Sequence, residues 1–480
     1  MITDMTATEL SAHIRNRDVS CVEVMEAFLD RIWRVNPSVN AIVSMRDREE
    51  LVAEAATRDV ELAHGEYRGW MHGMPQAVKD LEMTAGIRTT WGSRVFADFV
   101  PLQDSPIVQR EKRSGAIVIG KTNTPEFGVG SQTYNDVFGA TRNAYDQART
   151  AGGSSGGAAV ALALRMVPVA DGSDMMGSLR NPAAYNNVFG FRPSCGRVSP
   201  GADERDAFGT RISTAGPMGR CVDDVTRLVS VQAGFDRGSP FSIQESPAVF
   251  EVLHERDFKG TRVGWLSDWC GHFPMEDGIL SACESALGCA RDIGCTVEAA
   301  VPEFSPRELW DAWVTLRSWA IANNLLEVWD NGRRSNVLKP EIAWEIRRGL
   351  KLSATDAYRA NGVRTRWYRE LSRMFDSYTY LVLPSAQVYP FSVDTHWPDR
   401  VGGTRMRTYH EWMAVSILAS MSGCPVLNVP VGFNGDRLPM GMQVIGRYGD
   451  DLGVLQFGRA YEQQASGWIS RRPQLGATAA

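Results

Sequence analysis

The chain has 480 residues, of which 44% are hydrophobic and 22% charged, so it contains enough apolar material for a large buried core and too few charges for a disordered protein. Its 51 basic and 56 acidic side chains give a formal charge of -5 and are scattered along the sequence, which disfavours nucleic acid and anionic membranes as partners. No linker, charge block or internal repeat divides the chain, so residues 1-480 are expected to form one domain.

Targeting and metal-binding signals are weak throughout the sequence. The first ten residues contain neither a basic region nor an apolar run, and the longest apolar stretch, residues 158–170, is interrupted by Arg165. We therefore expect a cytoplasmic protein that does not span a membrane. The eight cysteines show no C-x-x-C pair and the seven histidines no H-x-x-x-H spacing, so we expect reduced thiols and neither a metal nor another cofactor.

Hydrophobic spacing predicts helices at the start of the chain and then an alternation of short apolar runs with helical stretches. The apolar residues at helical spacing are Leu10, Ile14, Val22, Met25, Leu29 and Ile32. The runs expected to form strands are residues 41–43, 76–78, 116–119, 167–170, 263–266 and 380–383, and residues 426–462 return to short strands and a closing helix. This alternation predicts an α/β fold.

Residues 303–375 are helical in pattern and rich in tryptophan. The tryptophans are Trp310, Trp313, Trp319, Trp329, Trp344 and Trp367. We expect this segment to form a helical layer over the sheet. Its indole rings either fill the core or line a substrate pocket, and the sequence leaves both interpretations open.

The first motif with chemical potential contains a lysine. Lysine is rare, at six residues against 45 arginines, yet Lys79 directly follows an apolar run in GMPQAVKDLEMTAG. Burial disfavours the charged form of a lysine and lowers its pKa toward the range in which it acts as a base. A structural ion pair with a carboxylate is the alternative interpretation of this position.

The second motif is a glycine- and serine-rich loop at residues 152–157, in TAGGSSGGAAVALAL. Such a loop before a helix can bind an anion through its backbone amides. It lacks the lysine of a phosphate-binding P-loop. Gly152 to Gly156 also fit the G-x-S-x-G nucleophile elbow, but the polar residues 143–150 stand where that motif needs a buried strand.

The third motif is ADGSDMMGSLRNPAAYNNVFGFRPSCGRVS, at residues 170–199, in which a short strand leads into a turn that carries Ser178. Successive backbone N–H groups in such a turn can converge on one point, as the stabilisation of an oxyanion requires. Considered alone, the motif is also typical of a structural turn held by an ion pair between Asp174 and Arg180.

Together the three motifs resemble those of the amidase signature family: GMPQAVKD, GGSSGG and GSDMMGSLRNPA, with Ser154 and Ser178 standing 24 positions apart. The resemblance covers roughly residues 6–240 and 380–465 and includes KTNTPEFG, GATRN and LPMGMQVIG. It weakens at about 250-375, which the resemblance identifies as a helical, tryptophan-rich region that varies within the family. It implies a large mixed, twisted β-sheet covered by helices on both sides.

The resemblance also implies a catalytic triad in which Ser178 is the nucleophile, Ser154 the bridging serine and Lys79 the base. A neutral lysine accepts the proton of Ser154, which in turn accepts that of Ser178, so no histidine is needed. In the family the bridging serine follows a cis peptide bond, so a cis bond is expected between Gly153 and Ser154.

Further residues are assigned to supporting roles by the same resemblance. The oxyanion hole is expected from the backbone N–H groups of Met175, Met176, Gly177 and Ser178, and the residues expected to support the triad are Ser155, Asp174 and Arg180. The family usually has glycine at the position of Met176, where a positive φ would be costly for methionine.

These observations predict a hydrolase that cleaves the C–N bond of amides, or the related bonds of anilides, carbamates or esters, through a serine-linked acyl-enzyme. Met175 and Met176, with the tryptophan-rich layer, predict a pocket for bulky apolar groups. The alternative is a glutamine-hydrolysing subunit resembling the A subunit of glutamyl-tRNA amidotransferase. The expected partner is a small-molecule substrate, and a homodimer remains open.

Overall fold

The computed structural model describes residues 1–199, 208–209 and 211–475. Its helices are α1 (Ala7–Asn16), α2 (Cys21–Val39), α3 (Arg48–Ala63), α4 (Pro106–Arg113), α5 (Gly156–Ala163), α6 (Arg180–Tyr185), α7 (Val222–Gln232), α8 (Ile279–Asp292), α9 (Pro306–Asn324), α10 (Leu326–Trp329), α11 (Pro340–Gly349), α12 (Ala354–Met374), α13 (Ile417–Ser422), α14 (Asp451–Gln464) and α15 (Ser466–Ile469). Its strands are β1 (Ile42–Val43), β2 (Pro75–Lys79), β3 (Ile117–Thr122), β4 (Tyr134–Asn135), β5 (Gly139–Ala140), β6 (Ala170–Asp174), β7 (Phe189–Arg192), β8 (Thr214–Gly219), β9 (Arg262–Trp265), β10 (Thr296–Ala299), β11 (Tyr380–Pro384), β12 (Arg400–Val401), β13 (Thr404–Arg405), β14 (Val426–Phe433) and β15 (Pro439–Ile445).

The N-terminal helices have strong start signals. Thr6 with Glu9 and Ser20 with Glu23 form capping boxes, in which each side chain bonds the other residue's backbone N–H, at the starts of α1 and α2. The apolar residues predicted for these helices are buried, apart from the half-buried Val22. A three-stranded sheet follows, in which β3 pairs antiparallel with β1 and parallel with β2.

An eight-stranded mixed sheet has the strand order β10–β9–β11–β15–β14–β7–β8–β6. Strands β10, β9 and β11 run parallel, and the other neighbours are antiparallel. In β11, Tyr380 and Val382 pack with residues of α8 and α14, while Leu381 and Leu383 pack with residues of α9 and α12. Both faces of the strand are therefore buried under helices, which confirms the predicted α/β architecture.

Strands β2 and β6 lie beside each other where the two sheets meet. The backbone N–H of Lys79 donates to both carboxylate oxygens of Asp171, each at 3.1 Å. A side-chain carboxylate thus takes the hydrogen bond that a neighbouring strand would accept in a continuous sheet. This contact fixes the end of β2, and with it Lys79, against β6.

One predicted strand was placed too early. The apolar residues 167–170 were expected to form it, but residues 164–169 are turns and bends and β6 begins at Ala170. Pro168 has no N–H to give to a ladder, whereas the polar sequence ADGSD pairs in full with β8. The position of β6 is therefore determined by its pairing with β8 rather than by apolar composition.

The predicted helical layer at residues 303–375 is confirmed as α9 to α12. All eight cysteines are free thiols, and three of them, Cys283, Cys289 and Cys295, lie on α8 or directly after it. The described residues contain no cluster of His, Cys, Asp and Glu arranged to hold a metal. None of the helices described has both the length and the apolar character needed to cross a bilayer.

Candidate active site

Lys79, the last residue of β2, is fully buried, and hydroxyl groups surround its Nζ atom. Nζ lies 2.8 Å from Oγ of Ser154, 2.8 Å from Oγ of Ser155 and 3.0 Å from Oγ of Ser173. Its side chain forms no ion pair with any carboxylate of the described residues. The interpretation of Lys79 as half of a structural ion pair is therefore wrong.

The protonation of Lys79 follows from this environment. Burial lowers the pKa of the Lys79 ammonium to about 7, although the negative charges of Asp171, Glu82 and Asp174 act in the opposite direction. A large fraction of the lysine is consequently neutral near physiological pH. A neutral amine in contact with a serine hydroxyl is able to accept its proton.

The glycine- and serine-rich loop uses its amides internally. Five of its backbone N–H groups donate within the protein, and their acceptors are Thr150 Oγ1 for Gly152, Asn181 Oδ1 for Gly153, the Ser178 carbonyl for Ser155, Thr133 Oγ1 for Gly156 and the Asn123 carbonyl for Gly157. Because these five amides already have partners, the contacts disfavour the anion-binding interpretation. The Gly153–Ser154 peptide bond is cis, as expected.

The turn after β6 carries Ser178 at the start of α6. Gly177 has φ +83°, a region that glycine adopts without the penalty of a side chain. The φ angle of Met176 is not positive. The methionine therefore stands here without the backbone cost that its position suggested. The N–H of Gly177 donates to Asp174 Oδ1 at 2.9 Å. Among the described residues, the N–H groups of Met175, Met176 and Ser178 have no hydrogen-bond acceptor.

A buried ion pair holds this turn. The Arg180 guanidinium lies 2.8 Å and 2.9 Å from the two oxygens of Asp174, and Arg192 Nε lies 3.6 Å away. Burial alone would raise the pKa of Asp174, but the charge and hydrogen bonds of Arg180 hold it well below its usual range. Arg180 also donates to the Ser416 carbonyl and to Oγ of Ser420, which ties the turn to the segment before α13 and to α13 itself.

A cavity of about 90 Å³ borders both Ser154 and Ser178. The apolar residues that line it are Leu81, Phe127, Val129, Met175, Met176, Ile321 and Met413, and its polar lining includes Ser131, Ser173, Arg317 and His410. A larger cavity of about 570 Å³ shares Leu81, Ser173 and Met175 with it. Both methionines predicted to flank the nucleophile therefore face the space beside it.

The tryptophan-rich layer contributes less to this space than its composition suggested. Trp319 borders the larger cavity, but Trp310 and Trp344 border a separate cavity of about 410 Å³, and Trp313 and Trp367 are fully buried. Trp310 and Trp319 are nine positions apart on α9, which at 100° per residue places them on opposite sides of the helix. Of these five rings, Trp319 alone borders one of the two cavities that Met175 lines.

Several residues of the site were not predicted from the sequence. Asp171 and Ser173 both contact Lys79 because alternate residues of β6 point to the same face, a signal that the motif ADGSD contained. Arg317 and His410 carried no such signal, since each reaches the cavity only through the packing of α9 and of the chain before α13.

Comparison with known proteins agrees with this geometry. The family model for Amidase matches residues 23–455. The A subunit of glutamyl-tRNA(Gln) amidotransferase from Thermosynechococcus vestitus is 32% identical over 490 residues, 97% of this chain and 99% of that protein. An acylamidase of Rhodococcus erythropolis is 32% identical over 473 residues, 98% of this chain and 97% of that protein. The crystal structure of a bacterial aryl acylamidase of the amidase signature family matches with a TM-score of 0.89 and 28% identity, over 98% of this chain and 99% of that one. The chain therefore belongs to the amidase signature family and is an amide-hydrolysing enzyme.

Proposed function

We propose that this protein is a self-sufficient serine hydrolase that cleaves the C–N bond of amides with bulky apolar groups through an acyl-enzyme on Ser178. The observation that carries the proposal is the contact of 2.8 Å between the buried Lys79 amine and Oγ of Ser154, at a cavity that Ser178 also borders. Anilides, carbamates and esters belong to the same proposal, because their hydrolysis passes through the same kind of intermediate.

The proposed reaction begins with a proton relay. Neutral Lys79 takes the proton of Ser154 Oγ, Ser154 takes that of Ser178 Oγ, and the Ser178 oxygen attacks the substrate carbonyl carbon. The tetrahedral intermediate then expels the amine, which receives a proton back along the relay. Water hydrolyses the resulting ester on Ser178 by the same path and restores the enzyme.

The negative charge on the carbonyl oxygen needs nearby donors. The N–H groups of Met175, Met176 and Ser178 are the candidates, because the N–H of Gly177 already donates to Asp174. Asp174 and Arg180 act on the reaction indirectly, by holding the turn in which these donors lie. Preorganised donors of this kind are commonly the largest single contribution to such catalysis.

The lining of the cavity supports a preference for apolar substrates. A substituent packed against Phe127, Ile321, Met176 and Met413 gains roughly 25 cal/mol per Å² of apolar surface removed from water. Glutamine offers no comparable apolar surface, and its charged ammonium and carboxylate groups would have to leave water.

The second candidate is a glutamine-hydrolysing component of a larger complex. It is favoured by the 32% identity to the amidotransferase relative, which equals the identity to the acylamidase. Sequence identity therefore does not separate the two functions, whereas their substrates and their dependence on partners do.

The decisive experiment uses the purified chain without any partner. We expect it to hydrolyse an apolar anilide with a kcat/KM at least 100-fold above that for glutamine, a difference of about 3 kcal/mol in transition-state binding. Ser178→Ala is the control and should lose turnover and acyl-enzyme formation, measured by mass spectrometry, while remaining folded. Glutamine as the better substrate, or hydrolysis that requires added partner proteins, would instead support the amidotransferase function.

A further inference from the structure

The cavity beside Ser178 has a polar corner, formed by Arg317 and His410, in a wall of apolar residues and serines. Arg317 reaches it from α9, and His410 reaches it from the segment that precedes α13. Neither residue takes part in the proposed proton relay. Both are almost completely removed from water, with exposed fractions of 4% for Arg317 and 1% for His410.

Arg317 is only partly satisfied by the protein. Its Nε donates to Glu345 Oε1 at 2.8 Å and its Nη2 donates to the Tyr409 hydroxyl at 2.8 Å. Its Nη1 donates to the thioether sulfur of Met175 at 3.3 Å, and sulfur of this type accepts hydrogen bonds weakly. Nη1 carries two N–H groups, so it retains donor capacity beside Met175, which lines the same cavity.

His410 has no hydrogen-bond partner at either ring nitrogen among the described residues. Its ring is held by aromatic neighbours, with centroids 4.6 Å from Tyr409 and 5.2 Å from Trp310. Burial, together with the charges of Arg317 and Arg348, holds the pKa of His410 well below its usual range, so the imidazole is neutral. A neutral imidazole offers one donor and one acceptor, and leaving both unused in a buried site is costly.

The charge of the corner restricts what it can bind. Arg317 is paired with Glu345, so the two residues are neutral together. A carboxylate brought beside them would add an uncompensated negative charge near Glu345, and an alkyl group would leave the free donor and acceptor unpaired. An uncharged group with one acceptor and one donor satisfies the free N–H of Arg317 Nη1 and the acceptor nitrogen of His410.

We propose that Arg317 and His410 form a specificity subsite for a second, uncharged amide group of the substrate, whose carbonyl accepts from Arg317 Nη1 and whose N–H donates to His410. This inference rests on the proposed function, because it names the substrate class of the same cavity. The preferred substrates are then diamides, in which one amide is cleaved at Ser178 and the other is held in this corner.

The test uses two series of substrates, and each series contains three nearly isosteric compounds that differ in one group. The group is isopropyl, carboxamide or carboxylate, placed at the end of the acyl chain of a p-nitroanilide in one series and on the aniline ring of a hexanamide in the other. In one of the two series the carboxamide should exceed both isosteres in kcat/KM by about tenfold or more, as expected for satisfying buried polar groups.

Two variants test the assignment to these residues. In His410→Phe, which keeps an aromatic ring, and in the double variant Arg317→Met/Glu345→Gln, which removes the ion pair as a unit, the ratio of carboxamide to isopropyl turnover should fall toward 1. Trp344→Phe is the matched control, because Trp344 packs on His410 but borders the separate cavity, and it should keep the ratio.

The outcomes separate this inference from the proposed function. Turnover of the isopropyl compounds without a carboxamide preference, a preference for the carboxylate, or a ratio unchanged in His410→Phe overturns the subsite alone. The absence of turnover for every compound, or equal turnover in Ser178→Ala, overturns the proposed function and the subsite with it.

Discussion

At the scale of single residues, the unusual feature is a lysine placed among hydroxyl groups instead of carboxylates. Lys79 contacts the side chains of Ser154, Ser155 and Ser173. A carboxylate partner would favour the ammonium form and suppress the basicity of the side chain, whereas neutral hydroxyls leave burial as the dominant influence on its pKa. The arrangement therefore favours a base over a structural cation.

The pH dependence of activity should report this lysine. Because burial lowers the pKa of Lys79 to about 7, the neutral form that accepts the proton accumulates as the pH rises through that value. We expect kcat/KM of the free enzyme to increase with pH and to level off above an inflection near 7, as a pH–rate profile would measure.

Two replacements check the origin of that inflection. Lys79→Arg keeps a cation that stays protonated, so activity should fall by two or more orders of magnitude at every pH. Lys121→Met removes a different buried lysine and should preserve the inflection. Substantial activity in Lys79→Arg would show that Lys79 acts only as a structural group.

Some residues of the site could be predicted from the sequence, and some of their contacts could not. The triad of Ser154, Ser178 and Lys79 was predicted through the resemblance of three short motifs to the family, and each motif carries its own turn or strand signal. The partners of Asp174 beyond Arg180 were not predicted, since Arg192 reaches it from another strand. Contacts of this kind depend on how elements pack, and no local pattern records them.

At the scale of elements, the start of α5 packs against the backbone at the end of β3 and before β1. A Cβ atom at Gly157 would lie 2.4 Å from the Asn123 nitrogen and 2.6 Å from the Ala41 oxygen, both of them backbone atoms that cannot rotate away. This close approach places the loop that carries Ser154 and Ser155 next to Lys79.

Gly157→Ala should therefore destabilise the protein and displace the loop. We expect the free energy of unfolding in urea to fall by about 1–3 kcal/mol, as for other overpacked cores, together with a loss of kcat. Gly288→Ala, in the middle of α8 with open space around the new methyl group, is the matched control and should raise stability by roughly 0.5–1 kcal/mol. Equal effects of the two replacements would contradict the close packing at Gly157.

The positions of strands could be predicted where the burial of both faces produced a continuous apolar run in the sequence. Strands β3, β9 and β11 were found from continuous apolar runs, because both of their faces are buried. Strand β6 was placed too early because its polar residues are buried by the site itself. The sequence also left the positions of the tryptophans open, because composition does not determine which side of α9 each ring occupies.

At the scale of the whole molecule, three of the six lysines have side chains that are almost completely removed from water. Burial lowers the pKa of Lys79 to about 7 and the pKa values of Lys121 and Lys339 to about 8. In an unfolded chain a lysine has a pKa of about 10.4. Between these values the unfolded state binds more protons than the native state, so each buried lysine makes the native state more stable as the pH rises.

Lys339 allows this effect to be measured apart from catalysis. Its side chain is 8% exposed, and Nζ lies 3.7 Å from the centroid of the Tyr134 ring and 3.9 Å from Oε1 of Glu341. Below pH 8 the protein carries the full cost of keeping this ammonium buried, and that cost disappears as the native lysine loses its proton.

Lys339→Met removes the titrating group, so the stability of the variant relative to the wild type should be highest near pH 7. The relative stability should then decline by roughly 1 kcal/mol per pH unit between pH 8 and 10, because one pKa unit corresponds to about 1.36 kcal/mol. Urea unfolding of both proteins at each pH measures the difference and cancels the other titrating groups. Lys351→Met, at an exposed lysine, is the control and should leave the pH dependence unchanged. A difference between Lys339→Met and wild type that stays constant from pH 7 to 10 would mean that Lys339 remains charged in the native protein throughout, held by Glu341 and the Tyr134 ring.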